Sequence, residues 1–349
     1  MRKEQWESLQ AIIRGEEGPL RAGLIVDSPW MPGYCGVSNV DFYARPEVWL
    51  DAYRKIRADF PGVLFLPDWW NEFGMATEPS GFGCRFDFYD DNLPTVHHII
   101  PTLEDADLIE RLQVPDPRKS GLMPLLLNLQ RYVQPRLQEL GEEHYIVSTR
   151  GPLTIASHLM PLTELLLGVK MEGETIHKLL RCTTALCIRW LEAQLENVGT
   201  ARGILVLDDV TGFLSEEDYL EFAHPYLKEI FRSFPGLLHL FHNDTDSDVS
   251  VPWLDELGVD LYNFTHKKNI GDVRRKIGDR VCLLGNVPPM SLVKESPETV
   301  YAQTRQVIAD YCAANGSHRG LLVSLGGGVP MGARQDTIDA FLRAVADYA

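Results

Sequence analysis

Eight short apolar runs limit what this chain can fold into, because each ends in a polar or glycine residue and is followed by a helical stretch. They are "GLIVD" (23–27), "VLFLPD" (63–68), "YIVSTR" (145–150), "ILVLDD" (204–209), "LLHLFHND" (237–244), "VDLYNFTH" (259–266), "VCLLGN" (281–286) and "LLVSLGGG" (321–328). Continuous apolar runs suit strands buried on both faces, as in a parallel sheet. Strands alternating with helices predict an α/β protein, specifically a (β/α)8 TIM barrel; a doubly wound sheet is the alternative. A polar, helical stretch precedes the first run, so the barrel is expected to carry an N-terminal helical extension within one domain spanning 1–349.

The intervening segments carry helix signals. Ser215 opens "SEEDYLEFAHPYLKEIFRSF" with Asp218 three residues on, close to a capping box. Ser296 and Pro297 open "SPETVYAQTRQVIADYCAANG", and Gly316 follows its end. Within that stretch Val300, Thr304, Val307, Ile308, Tyr311 and Cys312 recur at helical spacing and predict one buried stripe.

Composition excludes some functions. A net charge of −16 repels polyanions, so no nucleic-acid partner is expected. The six cysteines show neither CxxC nor zinc-finger spacing and read as reduced thiols. No apolar run approaches the roughly 18 residues of a membrane helix, and the first residues lack a signal-peptide core. A cytoplasmic location without membrane attachment is expected.

Active sites of such barrels lie at the carboxyl ends of the strands. There the chain places Asp27, Asp68, Arg150, Asp208, Asp209, His242, Asp244, Asn263, His266, Asn286 and glycines 326–328. Unpaired carboxylates are costly to bury, so such clustering suggests ligand or metal contacts; helix N-capping is the competing reading for each residue. In an extended strand residues i and i+2 point the same way, so His242 and Asp244 could share one ion. Alternatively Asp244 or Asp248 caps the helix near "VPWLDELG" and His242 is a bonded core residue. "PDWWNEFG" puts Trp69, Trp70 and Glu72 beside Asp68, where the tryptophans could pack on a flat ligand or on a helix. "GNVPPM" and "LGGGVPMGAR" follow the last two strands. They could bind phosphate, with Arg334 assisting, or form tight turns.

Several segments together resemble the uroporphyrinogen decarboxylase superfamily, which includes cobalamin-dependent methyltransferases. They are "GPLTIASHLMPLTELLLGV" (151–169), "LVLDDVTGFLSEEDYLEFAHPYLKEI" (205–230), "CLLGNVPP" (282–289) and "LLVSLGGGVPMGARQDTIDAF" (321–341). The resemblance implies a (β/α)8 barrel and divides over chemistry. A decarboxylase of this family has an arginine-bearing "RQAGR" segment that holds substrate carboxylates. The matching stretch here resembles "SPWMPGYCG" (28–36), without arginine. The family's aspartate corresponds to Asp68, but its tyrosine falls at His158, its serine at Asp209 and its late histidine at Gly327.

The methyltransferase branch resembles the chain more closely. Its zinc is held by His-x-Cys at one strand end and by a later cysteine. His242 matches the histidine, Asp244 stands at the first cysteine, and Gly327 falls near the second. Asp209 or His266 could complete the metal set, whereas Cys282 lies near the wrong end of its strand.

The resemblance therefore implies an enzyme that moves a methyl group between a small methylated substrate and a corrinoid protein or tetrahydrofolate. His242, Asp244 and His266 are its expected zinc ligands. Asp68, His158 and Asp209 are its expected catalytic residues, and Trp69, Trp70, Arg150, Asn286, Gly327 and Arg334 its expected substrate contacts. The alternatives are a lyase acting on a tetrapyrrole or another carboxylic acid, and a barrel that only binds a ligand.

Overall fold

A computed structural model describes residues 1–348 apart from Asp27, Pro29, Gly278 and Asp279. The strand-end candidate Asp27 therefore lies outside the described residues. Among the described residues there are ten strands in chain order: β1 (Arg21–Ile25), β2 (Leu64–Leu66), β3 (Arg85–Asp87), β4 (Thr95–His97), β5 (Ile146–Arg150), β6 (Gly203–Leu207), β7 (Leu238–Asn243), β8 (Leu261–Phe264), β9 (Cys282–Val287) and β10 (Leu321–Leu325). Eight of them form one parallel sheet in the order β2-β1-β10-β9-β8-β7-β6-β5. Each of the eight apolar runs contributes one of these strands. With helices around it, the sheet is the expected (β/α)8 barrel, nearly closed. The hairpin β3–β4 is an addition that the apolar runs did not announce.

Inside the barrel the side-chain period of two decides what is buried. Ile25, Leu66, Ile146, Leu205, Leu240, Leu261 and Leu322 form one apolar cluster with Trp6 and Leu9. Those last two come from the N-terminal helix Lys3–Ile13, whose Trp6 stacks on Tyr145 at 4.8 Å. Burying a side chain such as Leu9 contributes about 1.5–3 kcal/mol, so this helix is a plug, not an appendage.

Towards the carboxyl ends the same positions turn polar: Leu240 is followed two residues on by His242, Leu261 by Asn263, and Ile146 by Ser148 and Arg150. The lumen is thus apolar at its base and polar at its mouth.

The ladder is open between β2 and β5, and a carboxylate bridges the gap. Asp68 accepts the backbone amides of Tyr145 (2.9 Å) and Ile146 (3.2 Å) and the Met1 ammonium (2.8 Å). Burial alone would raise its pKa; the Met1 ammonium and His144 outweigh that and hold it below the usual carboxylate range.

The helix signals are observed as read. Ser215 caps Glu216–Phe222 through the Asp218 amide, and Pro297–Asn315 ends at Gly316 with φ 75°. In that helix Val300, Thr304, Ile308 and Tyr311 are buried, with Val307 and Cys312 half-buried beside them. All six cysteines are free. Among the described residues no single helix is long and apolar enough to cross a membrane.

Candidate functional site

The mouth is organised around the end of β7. His242 is the ladder partner of Leu207 on one side and of Asn263 on the other. Its Nδ1 lies 2.8 Å from Asn263 Oδ1. The Asn263 amide group donates to the carbonyls of Leu284 (2.7 Å) and Leu325 (3.0 Å), so its oxygen is the only atom left to face His242. Nδ1 of a neutral His242 must therefore carry the proton, and Nε2 carries a lone pair.

That Nε2 points between two carboxylates. It stops 3.6 Å from Asp209 Oδ1 and 4.0 Å from Asp244 Oδ2, outside hydrogen-bond reach. One ligand atom from each of Asp209, His242 and Asp244 lies within 4.8 Å of the others. Two donors on one ion with bonds of about 2.1 Å sit roughly 3.0–3.5 Å apart, so a small inward shift would let all three bind. His242 is buried, while the Asp209 and Asp244 side chains are 33% and 41% exposed, leaving the ion's outer side open. Burial, with Asp209 alongside, raises the pKa of Asp244, while His242 opposes the rise. A cation fits this donor set.

Local structure holds the three together. Asp209 begins the 3-10 helix Asp209–Phe213 directly after β6. Asn243 donates to Thr211 Oγ1 at 2.6 Å and so ties β7 to that helix. Gly212 allows the close approach, since a Cβ there would lie 1.7 Å from Thr245 Oγ1. The Asp244 amide donates to Asp209 Oδ1 at 3.1 Å. Gly327, at φ 135°, leaves room for Asp244: a Cβ there would lie 2.6 Å from Oδ2.

Capping does not explain Asp244 or Asp248. The helical turns at Val251–Trp253 and Leu254–Leu257 have no side-chain cap, and Asp248 pairs with Lys268 and Lys276. Asp208, by contrast, is a cap. It accepts the Leu153 and Thr154 amides and the Thr154 hydroxyl at the start of the helix Pro152–Leu159. Burial pushes its pKa up to about 7.

The other expected site residues separate. His266 is exposed and lies outside the three-residue group, although it is close enough to Asp244 to favour its charge. Its backbone abuts Gly326, where a Cβ would lie 2.3 Å from the His266 nitrogen. Asp68 sits in the seam, fully buried, and not among the mouth residues. Trp69 faces away from the lumen into the packing of Trp49 and Tyr53, with the Arg57 guanidinium 4.1 Å above its ring. Trp70, the next residue in the turn after β2, joins the lumen cluster, with the Arg150 guanidinium 5.0 Å from its ring.

Arg150 itself is paired with Glu72, which also accepts the Ser28 hydroxyl at 3.1 Å. His158 lies near Arg150 and His98; burial first, then those two groups, push its pKa down to about 4. Asn286 spends its amide on the carbonyls of Thr265 (2.9 Å) and Lys268 (2.7 Å), anchoring the loop after β8. Arg334 binds the carbonyls of Val293 and Glu295 and the Asp336 carboxylate, so its guanidinium is committed to helix ends. The glycine-rich turn therefore lacks the free cation expected of Arg334, and its glycines answer to His266 and Asp244.

Three contributors escaped the sequence reading. Glu78 accepts the Arg150 amide at 2.9 Å from 72 residues away, and no local signal marks it. Asn243 and Thr211 form the other tie; a polar residue directly after His242 was its only trace.

A family model described as "Uroporphyrinogen decarboxylase (URO-D)" matches residues 71–348. The chain belongs to the uroporphyrinogen decarboxylase (URO-D) family. Among its relatives is the uroporphyrinogen decarboxylase of Actinobacillus succinogenes, 25% identical over 320 residues, covering 87% of this chain and 82% of the relative. That of Erwinia tasmaniensis is 28% identical over 320 residues, covering 86% and 81%. That of Shewanella loihica is 28% identical over 326 residues, covering 87% and 82%. Among solved structures, a methyltransferase from Methanosarcina mazei superposes with a TM-score of 0.80 at 17% identity, covering 97% of each chain. At that identity the likeness establishes the shared fold of this URO-D family member.

Proposed function

We propose that this URO-D family member is a methyltransferase that moves a methyl group between a small methylated substrate and a carrier, a corrinoid protein or a folate. The observation that carries the reading is His242: a buried imidazole whose Nε2 lone pair is aimed between Asp209 and Asp244 without a hydrogen bond. A divalent ion held there, zinc foremost, would supply Lewis acidity that lowers the pKa of a bound thiol or hydroxyl or polarises the methyl donor.

The chain's own residues do the rest. Asn263 holds the proton on Nδ1. Asp209 and Asp244, 33% and 41% exposed, would hold the ion beside His242. His158 stays neutral near pH 7 and offers a proton donor or acceptor on the Arg150 side of the mouth. Phe213, Met290 and Met331 are exposed on the loops after β6, β9 and β10. A carrier would have to dock on that face of the barrel. The name of the Methanosarcina mazei relative agrees with this reading.

The test is elemental analysis of protein purified without added metal, beside a His242→Ala/Asp244→Ala variant. Near-stoichiometric zinc that disappears in the folded variant supports the reading. Methyl transfer unchanged in folded His242→Ala would remove the metal's role.

The second reading is a decarboxylase, favoured by the names of the relatives at 25–28% identity. Against it stand the segment 28–36 without arginine and the burial of Asp68 in the seam. Release of carbon dioxide from a porphyrinogen would establish it.

A further inference from the structure

The donor atoms at the end of β7 are an imidazole nitrogen and carboxylate oxygens. None of the six thiols joins them. Cys187 and Cys84 point at the carbonyls of Arg150 and His158, and Cys35 at that of Ala52. Cys282 is buried in the base of the lumen. Where the family resemblance places a second cysteine stands Gly327, whose missing side chain leaves a gap beside Asp244 Oδ2.

This donor set has a chemical consequence. Thiolate ligands transfer charge to an ion and make it receptive to another soft ligand, whereas carboxylates leave it hard. An ion held by carboxylates therefore favours a further oxygen ligand more than one held by thiolates does. We propose that the ion at Asp209, His242 and Asp244 receives the substrate through an oxygen, a hydroxyl or a carboxylate, and not through a thiol. The inference rests on the metal reading above and narrows its substrate class.

Two further features fit it. His242 is nine-tenths buried, and its Nε2 faces Asp209 and Asp244 at 3.6 and 4.0 Å, which makes the imidazole the third donor of the group. The Asp209 and Asp244 side chains are 33% and 41% exposed, so an incoming oxygen ligand would reach the site from solvent.

Cobalt(II) makes the test spectroscopic. The chelator-stripped full chain is loaded with cobalt(II) and titrated separately with acetohydroxamate, an oxygen donor, and 2-mercaptoethanol, a thiol. The expected result is a cobalt spectrum without sulfur-to-metal charge transfer. The acetohydroxamate-to-thiol affinity ratio should be at least roughly ten-fold higher in the wild type than in Asp244→Cys, a comparison in which the chelate effect of the hydroxamate cancels. An equal ratio in the wild type and Asp244→Cys overturns this inference and leaves the metal reading intact. Failure of the wild type to bind cobalt(II) or zinc(II) at all overturns both.

Discussion

His242 and Asn263 face each other across the β7–β8 ladder, Nδ1 to Oδ1 at 2.8 Å. The contact fixes which imidazole nitrogen is available, because Asn263 has already given both amide hydrogens to Leu284 and Leu325. Asn263→Ala should lower zinc affinity about 10–100-fold, the range for lost orienting partners of metal-bound histidines. It should also cost about 1–3 kcal/mol, since two carbonyls lose their donor. Chelator competition and denaturant melts measure the two effects. A folded variant that binds zinc as tightly as wild type would show that the contact does not orient the ligand.

Gly326 and Gly327 are adjacent but should fail differently. An alanine Cβ at Gly326 meets the His266 backbone at 2.3 Å, which cannot give way without moving the β8 loop. Gly326→Ala should chiefly lower Tm. At Gly327 the obstacle is the Asp244 carboxylate, and φ of 135° adds strain of about 1–3 kcal/mol. Gly327→Ala should displace Asp244 and reduce metal binding. Equal metal affinity in folded Gly327→Ala and wild type would contradict that.

Asp68 should behave as a structural residue. Asp68→Ala leaves the Met1 ammonium and the Tyr145 and Ile146 amides without their acceptor. Breaking such a buried pair costs about 3–5 kcal/mol. The denaturation midpoint should therefore fall sharply while zinc affinity of the folded fraction stays unchanged. A variant of wild-type stability with altered activity would return Asp68 to the catalytic set.

The His158 imidazole predicts an acid-side loss of stability. Its folded pKa, pushed down by burial to about 4, lies below the ordinary imidazole value of 6.5. Between those values the unfolded chain binds more protons, so stability falls as pH drops from about 6.5 towards 4 and is unaffected above that window. Melting wild type and His158→Gln at pH 7.5 and pH 5 isolates the effect. The wild type should lose more Tm on acidification than the variant, and equal losses would refute the assignment.

Much of the barrel was legible because strand burial is written locally. A run such as "ILVLDD" states both that a strand is buried on two faces and where it ends. His242 and Asp244 were legible for the same reason: a period of two puts both on one side of β7. Trp69 and Trp70 show the limit of that logic. They follow the end of β2 at Leu66, where the strand period no longer applies, and nothing in "PDWW" says which one faces the lumen.

The sequence by itself determined the eight strands, their order along the chain and the polar residues at their carboxyl ends, because these follow from apolar runs, caps and the strand period. Tertiary structure alone decided that Asp209, not His266, joins His242 and Asp244, and that Asp68 closes a seam while Asp208 caps a helix. Those choices depend on strand register and on side chains meeting across 33 or more residues of chain, which no local pattern encodes.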